Sequence, residues 1–526
     1  MFPVTQFEAQ EKLLGLPVAR EAPLTRAQIV VDGEVQRRFD IRLADRAADF
    51  WVAADIGRWR GQQVSLLAER RDLRGLSVVQ SDALPDAGDL YGERYRPQFH
   101  MTPQRGWMND PNGLSYYDGR YHLFFQHNPY GTDWGNMHWG HAASTDLVHW
   151  QELGEALYPD DLGACFSGSG VVDWENTSGL GNADDPPLVC AYTSAGEPFV
   201  QSLAYSVDGG DSWQPFDGNP VVPHLVGRNR DPKVIWHEPS GQWVMALYLE
   251  SHDYALLTSG DLRSWEVVQE LSLPGCSECP DLFPLPVDGD PAAVRWVFWG
   301  ANGTYLVGEF DGHTFTPQQA PARFAARGDS YAAQTWSEIP AEDGRRIQIA
   351  WLRGDLPEMP FNQQMTLPHR LALRSTPRGM RLAAEPVAEL GTLRQESYQW
   401  GDLVVRSGHD PLRDVRGRLL DVRAEVALGT TPGFGLQVCG VPIVYDAAEQ
   451  RLRCQGRALV CPDRDGIVRL RVLVDRASVE IYANDGLTVL PLRVLVAQRG
   501  SAMRTLVRGE EVAFQRLQVD VLQSIW

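Results

Sequence analysis

Basic residues are the scarce class in this chain: 48 Lys and Arg stand against 68 Asp and Glu, and the formal net charge is -20. Such a surface opposes phosphate backbones and anionic headgroups, so neither nucleic acid nor an anionic membrane is expected as a partner. Long apolar runs are missing too. Nowhere in the 526 residues is there the stretch of about 18 apolar residues that a spanning helix needs. The opening MFPVTQFEAQEKLL lacks the basic start and unbroken apolar stretch of a signal peptide, which predicts a cytoplasmic location. Cysteine is sparse and odd in number, 7 in a chain large enough to need no covalent staples, and this agrees with a reducing compartment. After the first dozen residues helical periodicity is rare as well. Short apolar runs broken by Gly, Asp, Asn and Pro take its place, so the chain reads as all-β.

What is abundant agrees with that reading: 49 Gly and 35 Pro supply turns, and 17 Trp supply rings that pack between sheets or against sugars. A degenerate repeat gives the architecture. STDLVHW (144–150), SVDGGDSW (206–213) and SGDLRSW (259–265) each place Ser two residues before Asp and a Trp shortly after it, and FDGHTF (310–315) keeps the Asp and ends in Phe. The unit recurs every 50–60 residues or so, roughly the length of a four-stranded blade with its loops. Each Asp is expected to close a hairpin at a blade edge while the aromatic packs between neighbouring sheets. With a fifth unit after residue 320, the pattern predicts a five-bladed β-propeller over 96–387. Residues 1–95 are outside the repeat and read as a small N-terminal β-rich accessory domain, and the shorter strands of 388–526 as a C-terminal β-sandwich.

Three carboxylates occupy unusual surroundings. Asp110 lies in WMNDPNG (107–113) after Asn109, Asp231 in NRDPK (229–233) after Arg230, and Glu278 in CSECPDLF (276–283). Neighbouring Pro and Gly fix the backbone, so each can end an inner strand and aim its carboxylate at the common axis. Far apart in sequence, they converge only if the propeller closes. A carboxylate pair is what glycosidic cleavage uses, one ionised to attack or steady the anomeric carbon and one protonated for the departing oxygen, while a third can hold hydroxyls. Arg230 can keep Asp231 charged or grip a hydroxyl. The CxxC of Cys276 and Cys279 has no second ligand pair and no βαβ setting, so no metal or redox role is expected; Cys279 is expected to pack beside Glu278 and shield it from water. Gln126, Trp134, Phe166 and Ser167 offer rings and polar groups suited to a sugar, FSGSG (166–170) reading as a polar turn.

WMNDPNG, QHNPYG (126–131), FSGS (166–169), RDPKV (230–234), ECPDLF (278–283) and MTLPHRL (365–371), in this order, resemble glycoside hydrolase family 32, the invertase, inulinase and levanase family; DRASVEIYANDG (475–486) resembles its C-terminal sandwich. The resemblance implies a retaining β-D-fructofuranosidase acting on sucrose, inulin or levan, closest in kind to bacterial levanases and exo-inulinases. It implies Asp110 as nucleophile, Asp231 as transition-state stabiliser and Glu278 as acid/base. Asn109, Gln126, Trp134, Phe166, Ser167 and Arg230 match positions around the fructose, and no cofactor or metal is implied. Transfer of the same fructosyl intermediate to a sugar would make a fructosyltransferase, and a noncatalytic fructan-binding propeller would lack Asp110 or Glu278. Oligomeric state is not encoded in any of these motifs.

Overall fold

A computed structural model describes residues 1–73, 76–182, 185–324, 328–496 and 502–526. Among these the helical elements are four short 3-10 turns, and nearly everything else that is regular is strand. The first strand already begins at Phe2.

Five four-stranded units follow one another around an axis. The first runs through Gly106–Tyr117, Arg120–Asn128, His138–Ser144 and Gln151–Leu157, the second through Ala164–Val172, Leu188–Ala195, Val200–Ser206 and Gln214–Pro215. The third comprises Arg230–His237, Gln242–Tyr248, Asp253–Ser259 and Glu266–Ser272, and the fourth starts at Asp281–Val287. The fifth, containing Ser330–Thr335, Arg346–Leu352, His369–Thr376 and Gly379–Pro386, joins the fourth through one parallel pairing, Val287 with Leu373. Blade five closes on blade one, where Ser337 N–H donates to Leu114 O and Tyr116 N–H to Ser337 O. Closure packs each blade between two neighbours, so the sheet edges that remain are short and protected.

The Ser-x-Asp repeat occurs where a hairpin must turn, between the third and fourth strands. Asp261 Oδ1 accepts from Arg263 N–H (2.9 Å), Ser264 N–H (2.8 Å) and Ser259 Oγ (3.1 Å). Asp146 and Asp208 repeat the pattern with Ser144 and Ser206, and Asp311 binds the N–H groups of His313 and Thr314. Burial pushes the carboxyl of Asp261 up, but the Ser264 and Arg263 N–H donors outweigh it and hold it below the ordinary carboxylate range. A depressed folded-state pKa contributes stability that is present above the ordinary carboxylate pKa and lost as pH falls through the depressed value. Asp261→Ala is therefore expected to cost about 1–2 kcal/mol at neutral pH. The check is the thermal midpoint against pH: the gap to the parent should shrink on acidification, and a pH-independent gap would contradict the turn's electrostatics.

Beyond the propeller, a six-stranded sheet from Arg394–Arg406 through Glu511–Leu522 and Leu420–Ala427 to Thr488–Arg493 faces a five-stranded sheet that includes Gly433–Val438 and Val441–Asp446. Val422, Leu436, Ile443, Val472 and Phe514 fill the space between them. Asp475 at the rim of this sandwich accepts from the N–H groups of Gln98 and Phe99 and from His100 Nδ1 (2.8 Å), which fastens it to the propeller's first strand approach. Ahead of the propeller, a four-stranded sheet (Phe2–Glu8, Gln63–Ala68, Thr25–Val31, Glu34–Ile41) packs on a three-stranded one around Leu16, Ile29, Val52 and Leu66. Tyr130 of the first blade enters this N-terminal core and stacks on Phe39 at 3.9 Å.

Candidate active site

Each innermost strand would normally alternate its side chains between two faces, and a site at the axis needs that alternation broken. Four of the five blades break it, three of them where a candidate residue sits. Pairing register shifts between Met108 and Pro111, around Asp110; between Phe166 and Gly168, around Ser167; between Arg230 and Lys233, around Asp231; and between Tyr331 and Gln334. Such bulges re-aim a side chain at the cost of ladder bonds. Asp231, Glu278, Cys279 and Ala332 have φ of 63, 62, 40 and 51°, the left-handed region, which costs about 1–3 kcal/mol per non-glycine residue. Hydrogen bonds hold that strain: Asp231 N–H donates to Thr193 Oγ1 (2.9 Å), Ala301 N–H to Glu278 O and Ala332 N–H to Ala301 O. Asp231 thus lies at the start of its inner strand, Glu278 just before one and Asp110 inside the first half of its own, rather than at strand ends.

FSGSG is not a turn but part of the second blade's inner strand. Its glycines answer to close approach: a Cβ on Gly168 would lie 2.0 Å from Ala191 O, and one on Gly170 2.6 Å from Gly113 O of the adjacent inner strand. With this packing Ser167 Oγ reaches the first blade and donates to Asp110 Oδ2 at 2.7 Å.

The three acids meet. Cys279 Sγ lies 3.5 Å from Asp231 Oδ2 and 3.8 Å from Asp110 Oδ2, and Cys279 N–H donates to the same Asp231 oxygen (3.1 Å). The expectation that this thiol shields Glu278 is therefore corrected. The left-handed backbone at Glu278 and Cys279 sends the two side chains apart, the thiol to the aspartates and the glutamate to Arg230 and Tyr331. Arg230 Nη2 donates to Glu278 Oε1 (2.5 Å) and Tyr331 Oη to Oε2 (2.6 Å). Arg230 bears less on Asp231 than its adjacency suggests: its Nε is 3.8 Å from Asp231 Oδ2. The guanidinium also stacks over Tyr248 at 4.7 Å.

Burial, with the negative charges of Glu278 and Asp110 beside it, pushes Asp231 up to about 7 against the lowering pull of Arg230 and the Cys279 N–H. Burial raises Asp110 too, and Ser167 and Asn109 oppose it. Three carboxyls this close do not all ionise together, and a proton on Asp231 leaves Asp110 free to stay charged. Burial and the nearby anions push the Tyr331 hydroxyl well above its ordinary value, so it remains a donor to Glu278.

Of the remaining candidates, Asn109 accepts from Trp107 Nε1 (2.9 Å) beside Asp110, and Trp134 meets Phe166 edge-to-face at 5.9 Å to form an aromatic rim. Gln126 lies deeper, buried, and donates to Cys165 O. Tyr331, Thr193 and Tyr248 also belong to the site and were not singled out from the sequence. The blade repeat has no copy in the fifth unit and DSYAAQTW (329–336) carries no turn motif, so no sequence signal marks Tyr331.

Residues 100–386 match the model "Glycosyl hydrolases family 32 N-terminal domain" and 389–520 match "Glycosyl hydrolases family 32 C terminal". A levanase of Bacillus subtilis (strain 168) is 38% identical over 493 residues, covering 84% of this chain and 72% of that protein. The crystal structure of an exo-inulinase from Aspergillus awamori superimposes with a TM-score of 0.75 at 30% identity, covering 83% of this chain and 100% of that one. A β-fructofuranosidase from Schwanniomyces occidentalis complexed with fructosyl-erythritol gives 0.72 at 26% identity, over 82% and 98%.

Proposed function

The chain belongs to glycosyl hydrolases family 32, and from that premise we propose that it is a retaining β-D-fructofuranosidase releasing terminal fructose from sucrose, inulin or levan. The observation that carries the reading is the meeting of Asp110, Asp231 and Glu278, brought from three different blades to one place through Cys279 and Arg230. Residues 96–387 would be the catalytic unit, with 1–95 and 388–526 as accessory and sandwich domains.

In the proposed cycle Asp110, oriented by Ser167 Oγ, attacks C2 of the bound fructose while Glu278 protonates the glycosidic oxygen. Fructose hydroxyls compete for the Arg230 guanidinium, and Glu278, still positioned by Tyr331, takes up the proton that Asp231 gives up, so that Glu278 holds the proton it will donate and Asp231 is ionised. Asp231 accepts from sugar hydroxyls more strongly as oxocarbenium-like charge develops. Water, deprotonated by Glu278, then attacks the fructosyl-enzyme and restores the original configuration. Trp134 and Phe166 bound the ring's apolar edge. None of these steps calls on a cofactor. The small and odd number of cysteines, 7 in so large a chain, supports a reducing, cytoplasmic setting, and the net charge of -20 supports a neutral sugar over nucleic acid or anionic lipid as partner.

Product analysis tests the assignment. Supplied separately with sucrose, inulin and levan, the enzyme should yield fructose as the first product, in the β configuration by NMR before mutarotation. Kestose-type products at modest sucrose would assign transfer instead, and short oligomers from polymer would assign endo cleavage.

A further inference from the structure

Beside the aromatic rim a groove of about 290 Å³ separates the N-terminal sheets from the first blade's 128–136 loop. Arg20, Leu24, Arg42 and Phe50 contribute one wall, Asp133 and Trp134 the other. Its size is close to the lower end of small-ligand sites, about 300–1,000 Å³. Trp134 belongs to both places: it lines the groove, is 58% exposed, and touches Phe166, the residue before the Ser167 that holds Asp110.

The walls are fixed with respect to one another. Asn136 Nδ2 donates to Asp40 O and Asp40 N–H donates back to Asn136 Oδ1, both at 2.8 Å, while Tyr130 of the same loop is stacked into the N-terminal core on Phe39. A groove built this way needs little ordering when it binds. Its charges are matched internally. Arg42 lies 3.9 Å from Asp133 and donates to Ala22 O, Arg20 lies 3.9 Å from Asp49 and donates to Met359 O, and Asp40 pairs with Arg26. No net positive field is left to select an anion. What remains is a set of N–H donors and carboxylate acceptors next to two exposed apolar faces, Leu24 at 59% and Trp134 at 58%. That combination suits a neutral polyhydroxylated chain, whose hydroxyls both donate and accept and whose C–H faces stack on rings.

We propose that this groove binds the fructosyl units that extend out of the pocket from the scissile bond, making the N-terminal domain a selector for long fructan over sucrose. The proposal rests on the fructosidase reading above. Binding energy from such remote units is available to the reaction on polymer and absent for sucrose, which ends too soon to reach them. The family matches cover 100–386 and 389–520, so this wall of the groove comes from outside the residues matched to the family.

The test is the full chain carrying Arg20→Ala, Leu24→Ala and Arg42→Ala together. The expected result is a fall of about tenfold or more in kcat/KM on long-chain inulin or levan, with sucrose kcat/KM within about twofold of the parent. An unchanged polymer rate, or equal losses on polymer and sucrose, overturns the groove. Calorimetry in the Asp110→Asn background gives a second measurement free of turnover: affinity should rise from sucrose to a fructan pentasaccharide, and the triple substitution should remove that rise. Affinity that does not grow with chain length also overturns it. Failure of the unsubstituted chain to cleave sucrose or fructan would instead strike the hydrolase reading, while intact sucrose turnover with a groove-independent polymer rate strikes the groove alone.

Discussion

Glu278→Gln is expected to lower sucrose hydrolysis by at least about 10²-fold, the lower range for general acid catalysis, while a fructoside with a good leaving group loses far less in its first step. The amide keeps the side chain's shape, and its oxygen can still accept from Tyr331 or Arg230, which hold the two carboxylate oxygens at 2.6 and 2.5 Å. What disappears is the proton for the leaving oxygen and the base for water. An activated leaving group needs no proton, so the fructosyl-enzyme should form and accumulate, and added azide should release it because a small anion attacks without a base. Asp110→Asn behaves differently. Ser167 can still donate to the amide oxygen, so the geometry survives, but the nucleophile is gone and neither activated substrate nor azide should restore a retained product. Initial rates of both variants on both substrates, with and without azide, and product configuration by NMR decide the matter. Equal losses on both substrates without azide response would remove Glu278 from its acid/base role, and a retained azide product from Asp110→Asn would remove Asp110 as nucleophile.

How much of this arrangement is legible in the sequence depends on whether the cause is local. The Asp turns are legible because Ser, Asp and the following N–H groups satisfy one another within a few residues, so the motif carries its own geometry at 144–150, 206–213 and 259–265. Asp110, Asp231 and Glu278 stand out for a similar reason: the Pro and Gly around them mark backbone that must depart from a regular strand. The partners of those acids are another matter. Tyr331 reaches Glu278 from a different blade, Thr193 supports the left-handed Asp231 from the next sheet, and Cys279 turns away from its own neighbour Glu278 because of a φ that residue type does not announce. FSGSG looks like a loop because glycine and serine are common in turns, whereas here glycine permits two inner strands to touch. Nothing in QHNPYG (126–131) announces that the ring of Tyr130 belongs to the N-terminal core. Contacts set by blade closure and domain docking leave no periodic trace.

Lys233, two residues beyond Asp231 in the same RDPKV segment, provides a second large expected effect, on stability. It is 2% exposed at the propeller axis, where Nζ donates to Thr335 O at 2.7 Å and lies 3.4 Å from Asp281 Oδ1. Asp281, fully buried, accepts in turn from Thr335 N–H at 2.7 Å. One ammonium and one carboxylate thereby join the inner strands of blades three, four and five just beneath the acids. Burial, helped by the charge of Arg346, pulls the lysine below its ordinary value, and Asp281 chiefly, with Glu338, opposes that pull. Lys233→Met would leave Asp281 without its contacting counter-charge, and about 3–5 kcal/mol of stability should be lost. Adding Asp281→Asn should recover a good part of it, because the amide oxygen still accepts from Thr335 N–H, the buried carboxylate is gone, and Arg346 nearby keeps Glu338 as a counter-charge. Thermal midpoints of the two single variants, the double variant and the parent measure the coupling, and sucrose kcat/KM reports whether Asp231 and Glu278 keep their places. A double variant no more stable than Lys233→Met, or a single variant within about 1 kcal/mol of the parent, would show that the axial pair is not what holds the three strands in register beneath the site.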